Sequence, residues 1–224
     1  LSAAELLTTQ GVTTTRFGPV IDGRYLVEQP SVTFTAGRAA RVPLLIGSNS
    51  EENGIQALLE GQAPTLANYR AALDRLYKER ADVVAKLYTA ASNEDVPAVA
   101  TALASDRFLG FATWKMFDLH RRTGAPTYYY YYSRVRPRAL SDPADAPTPL
   151  GALHSAEIEY ALGNLDANPR YRWTPEDRRV SATMQGYFVN FIKAANPNGA
   201  GLPQWLAAGT RDAAILRQRI DVET

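Results

Sequence analysis

Cysteine is absent from the 224 residues, so neither a disulfide nor a thiolate metal site can form. The same absence assigns no compartment, because a cysteine-free chain suits any redox environment. Long apolar runs are missing too, and none approaches the ~20 residues that cross a bilayer. Charge of one sign is also lacking. The formal net charge is +1, and like charges meet only in short pairs such as Arg121-Arg122 and Arg178-Arg179. That balance argues against a nucleic-acid-binding face. No Gly-x-Ser-x-Gly occurs, which is the strand-to-helix turn that carries the nucleophile of many hydrolases. Internal repeats and long low-complexity tracts are absent as well. The chain opens on Leu-Ser-Ala-Ala-Glu, with neither initiator methionine nor signal-peptide pattern, and this start is expected to be an internal boundary.

What is there suits a globular protein, with 46% hydrophobic and 21% charged residues, and the alternation of strands with helices along the chain argues for α/β. Leu1 to Thr9 has the pattern of a helix tail closed near Gly11. Phe17 to Pro30 is punctuated by Gly and Pro, which predicts an extended segment with a turn at Asp22-Gly23. Val42 to Ile46 is a short, partly β-branched apolar run, as expected of a strand buried on both faces of a parallel sheet. From Leu66 to Tyr88 apolar residues recur at three- and four-residue steps, predicting an amphipathic helix capped by Thr65. A second helix is expected after Asp95, running through Phe108, Phe111, Trp114 and Phe117 to His120-Arg121-Arg122 and stopping at Gly124. Thr127 to Val135 is the clearest strand, and its tyrosines at period two place alternate rings on each face. Arg136 to Pro149 has loop composition. Thr174 with Pro175 opens a third long helix, whose predicted stripe is Val180, Met184, Tyr187, Phe188, Phe191 and Ile192. Asp212 to Gln218 is a candidate edge strand. Two clear strands cannot make a self-sufficient sheet, so several helices are expected to wrap strands lying elsewhere.

Two segments carry chemistry. The acidic turn that follows Val42–Ile46 holds Glu51 and Glu52, and about a hundred residues later a loop holds His154. A carboxylate that orients a histidine acting as general base is the acid–base portion of a serine-hydrolase relay. In α/β-hydrolases the nucleophile precedes the acid and the acid precedes the histidine, which predicts a serine upstream of Leu1. Ser155 is the expected N-cap of a helix over Ala156 to Leu162. Glu157 is expected to face inward as an acceptor, and Glu159 to complement a dipole or a cation. His154 and Glu157 alone make a weak metal pair, for want of a third ligand. His120, the rival base, sits at a helix C-terminus beside two arginines, where a structural role is expected. Phe108, Phe111 and Trp114 are expected in the core, with a pocket lining as the alternative. Arg134, Arg136 and Arg138 hint at tolerance of an anionic substrate.

Five segments together resemble the type-B carboxylesterases, the family of carboxylesterases, para-nitrobenzyl esterases and cholinesterases. They are FGPVIDGRYL, VPLLIGSNSEENG, SDRFLGFATWKMFDL followed by TYYYYYSRV, GALHSAEIEYALG, and YFVNFIKAANPNGAGLPQW, in the family's order and over almost the whole chain. The resemblance implies an α/β fold, namely the C-terminal part of a single α/β-hydrolase domain over residues 1–224. Its mostly parallel sheet, flanked by helices, would be incomplete in these residues. It further implies a Ser-His-Glu triad acting on small carboxylic esters without cofactor or metal, with His154 as base, and a buried structural acid or cap at Asp106. Counting from Gly47 and Asn49 matches Glu52 to the family's acid, with Glu51 as the other assignment. The N-terminal portion of the same enzyme is then the implied partner, supplying serine and oxyanion hole. One alternative is a non-catalytic, cholinesterase-like adhesion or binding domain. Another is an independent helical interaction domain with a short sheet.

Overall fold

The computed structural model describes residues 2–5, 18–146, 148–210 and 215–224. Most of the helix tail expected at Leu1 to Thr9 lies outside the described residues, as do the first three residues of the strand expected at Asp212 to Gln218; the remainder of that expectation is corrected, since strand begins only at Gln218. Two compact units divide the chain, residues 1–39 and 40–224. In the first, the Asp22-Gly23 turn is closed by one carboxylate oxygen, Asp22 Oδ1. It accepts the N–H groups of Arg24, Tyr25 and Leu26 at 2.9–3.0 Å. A short helix, α1 (Pro30–Thr35), follows with proline in its first turn, where the missing N–H matters least.

The second unit is built on three parallel strands, β1 (Leu44–Asn49), β2 (Thr127–Tyr132) and β3 (Gln218–Ile220), in the order β1-β2-β3. Leu44 pairs with Thr127 and Asn49 with Tyr132, so β1 and β2 end level with each other. The tyrosine strand obeys its period of two. Tyr128, Tyr130 and Tyr132 turn to a cluster with Tyr160, Val180, Met184, Tyr187 and Trp205. On the other face Tyr129 meets Phe117, with ring centres 4.8 Å apart, and the Arg217 guanidinium lies 4.0 Å from the Tyr131 ring centre. Burying each Val180 or Met184 side chain is worth roughly 1.5–3 kcal/mol. Gly47 is required by this packing, since a Cβ there would collide with the Tyr130 ring. The expectation that Val42–Ile46 is buried on both faces is corrected. The strand starts later, and Leu44 to Gly47 are only half-buried. Among the described residues β1 has one neighbouring strand, so its other edge carries no strand partner.

The expected helices form, with interruptions. Thr65 caps α3 (Leu66–Tyr77), its hydroxyl accepting the Asn68 N–H. A 3₁₀ turn at Lys78–Arg80, with Lys78 at φ 49°, then separates α3 from α4 (Ala81–Leu87). The stripe survives the break: Tyr69 and Leu73 are buried, and Leu76, Tyr77, Val84 and Tyr88 pack against the same core, which includes Val96 and Leu103 of α5 (Val96–Ser105) and Leu58 and Leu59 of α2 (Gln56–Leu59); of the expected residues Leu66 and Leu87 are exposed. A π-helical turn, Asp106–Gly110, joins α5 to α6 (Phe111–Arg121), and Gly124 closes the segment at φ 82°. Phe117 is buried, whereas Phe108, Phe111 and Trp114 are exposed, which corrects the core assignment. Each three-residue step falls about 60° short of a full turn. Phe111 and Phe117 therefore lie about 120° apart around α6. The same drift explains Ile192, exposed on α8 (Pro175–Ala194), about 120° round the helix from Val180. α8 opens on the expected Thr174, which forms a reciprocal capping box with Asp177. A shorter helix, α7 (Ile158–Leu162), packs on it.

Candidate active site

In a parallel sheet, functional groups gather beyond the carboxyl ends of the strands, where loops fan out over the last backbone pairs. β1 ends there at Asn49, and residues 50–53 turn away from the sheet. Glu52, buried at 7% side-chain exposure, sends Oε2 to within 2.6 Å of His154 Nδ1. Its Oε1 accepts the Asn49 N–H at 2.7 Å, so the carboxylate is held from both sides. An ionised carboxylate only accepts, which puts the imidazole proton on Nδ1 and leaves Nε2 with a free lone pair. The His154 side chain is 52% exposed, and the edge of Phe108 meets its ring with centres 5.3 Å apart. This ring can take a proton at Nε2 while Glu52 stabilises the cation that results.

The rest of the acid turn is fastened to the histidine loop. Glu51 does not face the imidazole; its Oε2 accepts the Gly151 N–H at 2.9 Å. Ser50 Oγ accepts the Ala152 N–H at 2.7 Å, and Glu51 N–H donates to the Ala152 carbonyl at 2.8 Å. Asn49 Nδ2 donates to the Leu153 carbonyl at 2.8 Å and also to Glu157 Oε2. Glu157 is thus an acceptor behind the site, as expected. Among the described residues no three His, Cys, Asp or Glu side chains gather to hold a metal. Half-buried Tyr130 lies close by. Burial, then the charges of Glu157 and Glu52, hold its hydroxyl above the ordinary tyrosine value. The holding roles of Asn49, Ser50 and Glu51 were missed in the sequence, where no local signal shows which loop a turn will face.

Several expectations need correction. Ser155 is not an N-cap: its backbone is left-handed at φ 63°, whereas caps are extended, and α7 begins three residues later with Glu157 before it. Arg136 accounts for the detour, donating to the Ser155 carbonyl at 3.1 Å and pairing with Glu159 at 2.5 Å. The three arginines hinting at an anionic substrate are all engaged. Arg134 pairs with buried Asp177 at 2.6 Å, Arg136 with Glu159, and Arg138 with the carbonyls of Pro143, Ala144 and Ala146. Asp106 is exposed rather than buried, and accepts the Tyr88 hydroxyl at 2.5 Å. Phe111 and Trp114 line a cavity of about 470 Å³ with Tyr129 and Arg217. His120 is buried, its Nε2–H bonded to the Val42 carbonyl at 2.8 Å, near the opposite end of β1. Its neighbours Arg121 and Arg122 both pair with Asp118. No helix of the described residues is long and apolar enough to cross a membrane.

The profile described as the carboxylesterase family matches residues 1–223. Liver carboxylesterase 1 of Oryctolagus cuniculus is 29% identical over 203 residues, covering 84% of this chain and 35% of the relative. The para-nitrobenzyl esterase of Bacillus subtilis (strain 168) is 27% identical over 223 residues, covering 92% of the chain and 40% of the relative. Neuroligin-3 of Mus musculus is 28% identical over 204 residues, covering 81% and 24%. The chain spans about a third of the length of the curated relatives it matches.

Proposed function

This chain belongs to the carboxylesterase family, and from that membership we propose that it supplies the acid and base of a serine hydrolase acting on carboxylic esters. The family's fold is the α/β-hydrolase, and the three parallel strands with their flanking helices are part of it. Glu52 orients the imidazole, and His154 Nε2 removes the proton from a serine hydroxyl as that oxygen attacks the ester carbonyl. The imidazolium, steadied by Glu52, then returns the proton to the departing alcohol. Water, activated by the same nitrogen, releases the carboxylic acid and regenerates the serine. The serine and the oxyanion hole belong, on this reading, to an N-terminal portion of the same enzyme, of which residues 1–224 are the C-terminal part. The ester is a small molecule, and neither cofactor nor metal takes part.

The observation that carries this reading is the 2.6 Å contact between His154 Nδ1 and Glu52 Oε2 at the carboxyl end of the sheet. The test uses the intact protein, a fluorophosphonate probe and a simple aryl ester. Labelling and turnover are expected, with kcat falling at least about a thousandfold in His154→Ala and in Glu52→Gln. A protein that hydrolyses the ester equally well without His154 sinks the reading. The likeness to neuroligin-3, whose name claims no esterase activity, favours a second reading as a binding domain of the same family. That reading predicts no labelling of the intact protein.

A further inference from the structure

Two adjacent carboxylates leave β1 together, and they part at once. Glu52 goes to the imidazole ring, while Glu51, equally buried, goes to the backbone that carries it. Gly151 N–H and Ala152 N–H stand three and two residues ahead of His154. Two successive side chains of the acid turn accept them in turn, Glu51 Oε2 at 2.9 Å and Ser50 Oγ at 2.7 Å. A parallel bridge between Glu51 and Leu153 runs alongside, with Glu51 N–H on the Ala152 carbonyl. The fit is close, since a Cβ on Gly151 would stand 3.1 Å from Ser50 Cβ and collide with its hydroxyl. Among the described residues no cationic group lies within 4.0 Å of Glu51, so the Gly151 amide is the partner that justifies burying this carboxylate.

We propose that Glu51 is a positioning residue for His154, an assignment that rests on the esterase reading above. One hydrogen bond at Nδ1 sets the tautomer but leaves the imidazole free to swing about that bond. The Gly151 anchor, with those at Ala152 and Leu153, holds the backbone that carries the ring and so narrows where Nε2 points. Proton transfer from a serine requires Nε2 within about 2.6–3.2 Å of the hydroxyl, and a 1 Å displacement lowers the rate about a hundredfold. The acceptor at Gly151 is therefore worth most in kcat and little in substrate binding.

The experiment compares Glu51→Ala, Glu51→Asp and Glu51→Gln in the intact protein by ester kinetics and by the NMR signal of the imidazole Nδ1–H. Only two histidines are present, so that signal is readily assigned. Glu51→Ala is expected to lower kcat by between about tenfold and a hundredfold, with KM within about twofold, and to broaden the Nδ1–H signal. Glu51→Asp, too short to reach Gly151, should do the same while keeping the charge, which keeps the test alive if Glu51→Ala fails to fold. Glu51→Gln keeps an acceptor oxygen and should restore both kcat and the signal to within about twofold. Wild-type kcat and an unchanged signal in Glu51→Asp would overturn the proposal, as would a Glu51→Gln as impaired as Glu51→Ala. If the wild-type protein neither labels nor hydrolyses, the esterase reading fails separately, and the proton signal alone decides whether Glu51 positions the ring.

Discussion

Asn49 joins three things with one side chain and one amide. Its N–H goes to Glu52, and its Nδ2 goes to the Leu153 carbonyl and to Glu157. An amide nitrogen can serve two acceptors here because it carries two hydrogens. Replacing it by aspartate would set a third carboxylate against Glu157 and a carbonyl, with no hydrogen to share. Asn49→Asp is therefore expected to destabilise the protein by more than Asn49→Ala, with the alanine variant losing about 1–3 kcal/mol. Urea unfolding of both variants measures the difference, and equal midpoints would remove Asn49 from its linking role.

The start of α8 shows how a helix end can hold the segment that leaves a strand. Asp177 is buried within the capping box, and also accepts from Arg134 at 2.6 Å and the Tyr160 hydroxyl at 2.9 Å. Burial alone would raise its pKa, but the donors Arg134, Thr174 and Tyr160 outweigh it and hold the carboxyl below the ordinary aspartate value. A lowered native pKa adds stability above the unfolded value, about 3.9, and that stability is lost as pH falls through the native value. The urea midpoint should therefore drop as pH is lowered below about 4. Asp177→Asn, being less stable at neutral pH, should show a shallower acid limb. An unchanged acid limb in Asp177→Asn would assign the loss to other carboxylates. The π-turn between α5 and α6 has the opposite character, since it leaves Phe108 free to meet the His154 ring.

Among the described residues of the unit over 40–224, β1 pairs with a strand on one side only, and Phe108, Phe111 and Trp114 are exposed. An unpaired strand edge and exposed aromatic rings both invite association. Residues 1–224 expressed alone are expected to self-associate and to hydrolyse no ester, as size-exclusion chromatography and an aryl-ester assay would report. A monomeric, cooperatively unfolding product would count against an incomplete hydrolase domain.

Features governed by a few neighbouring residues were readable in the chain itself. The Thr65 and Thr174 caps, the Asp22-Gly23 turn and the tyrosine strand depend on hydrogen bonds and sterics within one or two turns. The family membership was readable too, because five short motifs in order need no coordinates. Exposure was not, since the three-residue steps of Phe111, Trp114 and Phe117 drift around α6 and only packing decides which side faces inward. Nor was the division between Glu51 and Glu52 settled by their adjacency. Which carboxylate meets an imidazole 102 positions away depends on how the histidine loop lies against the end of β1, and that is a property of the folded chain alone.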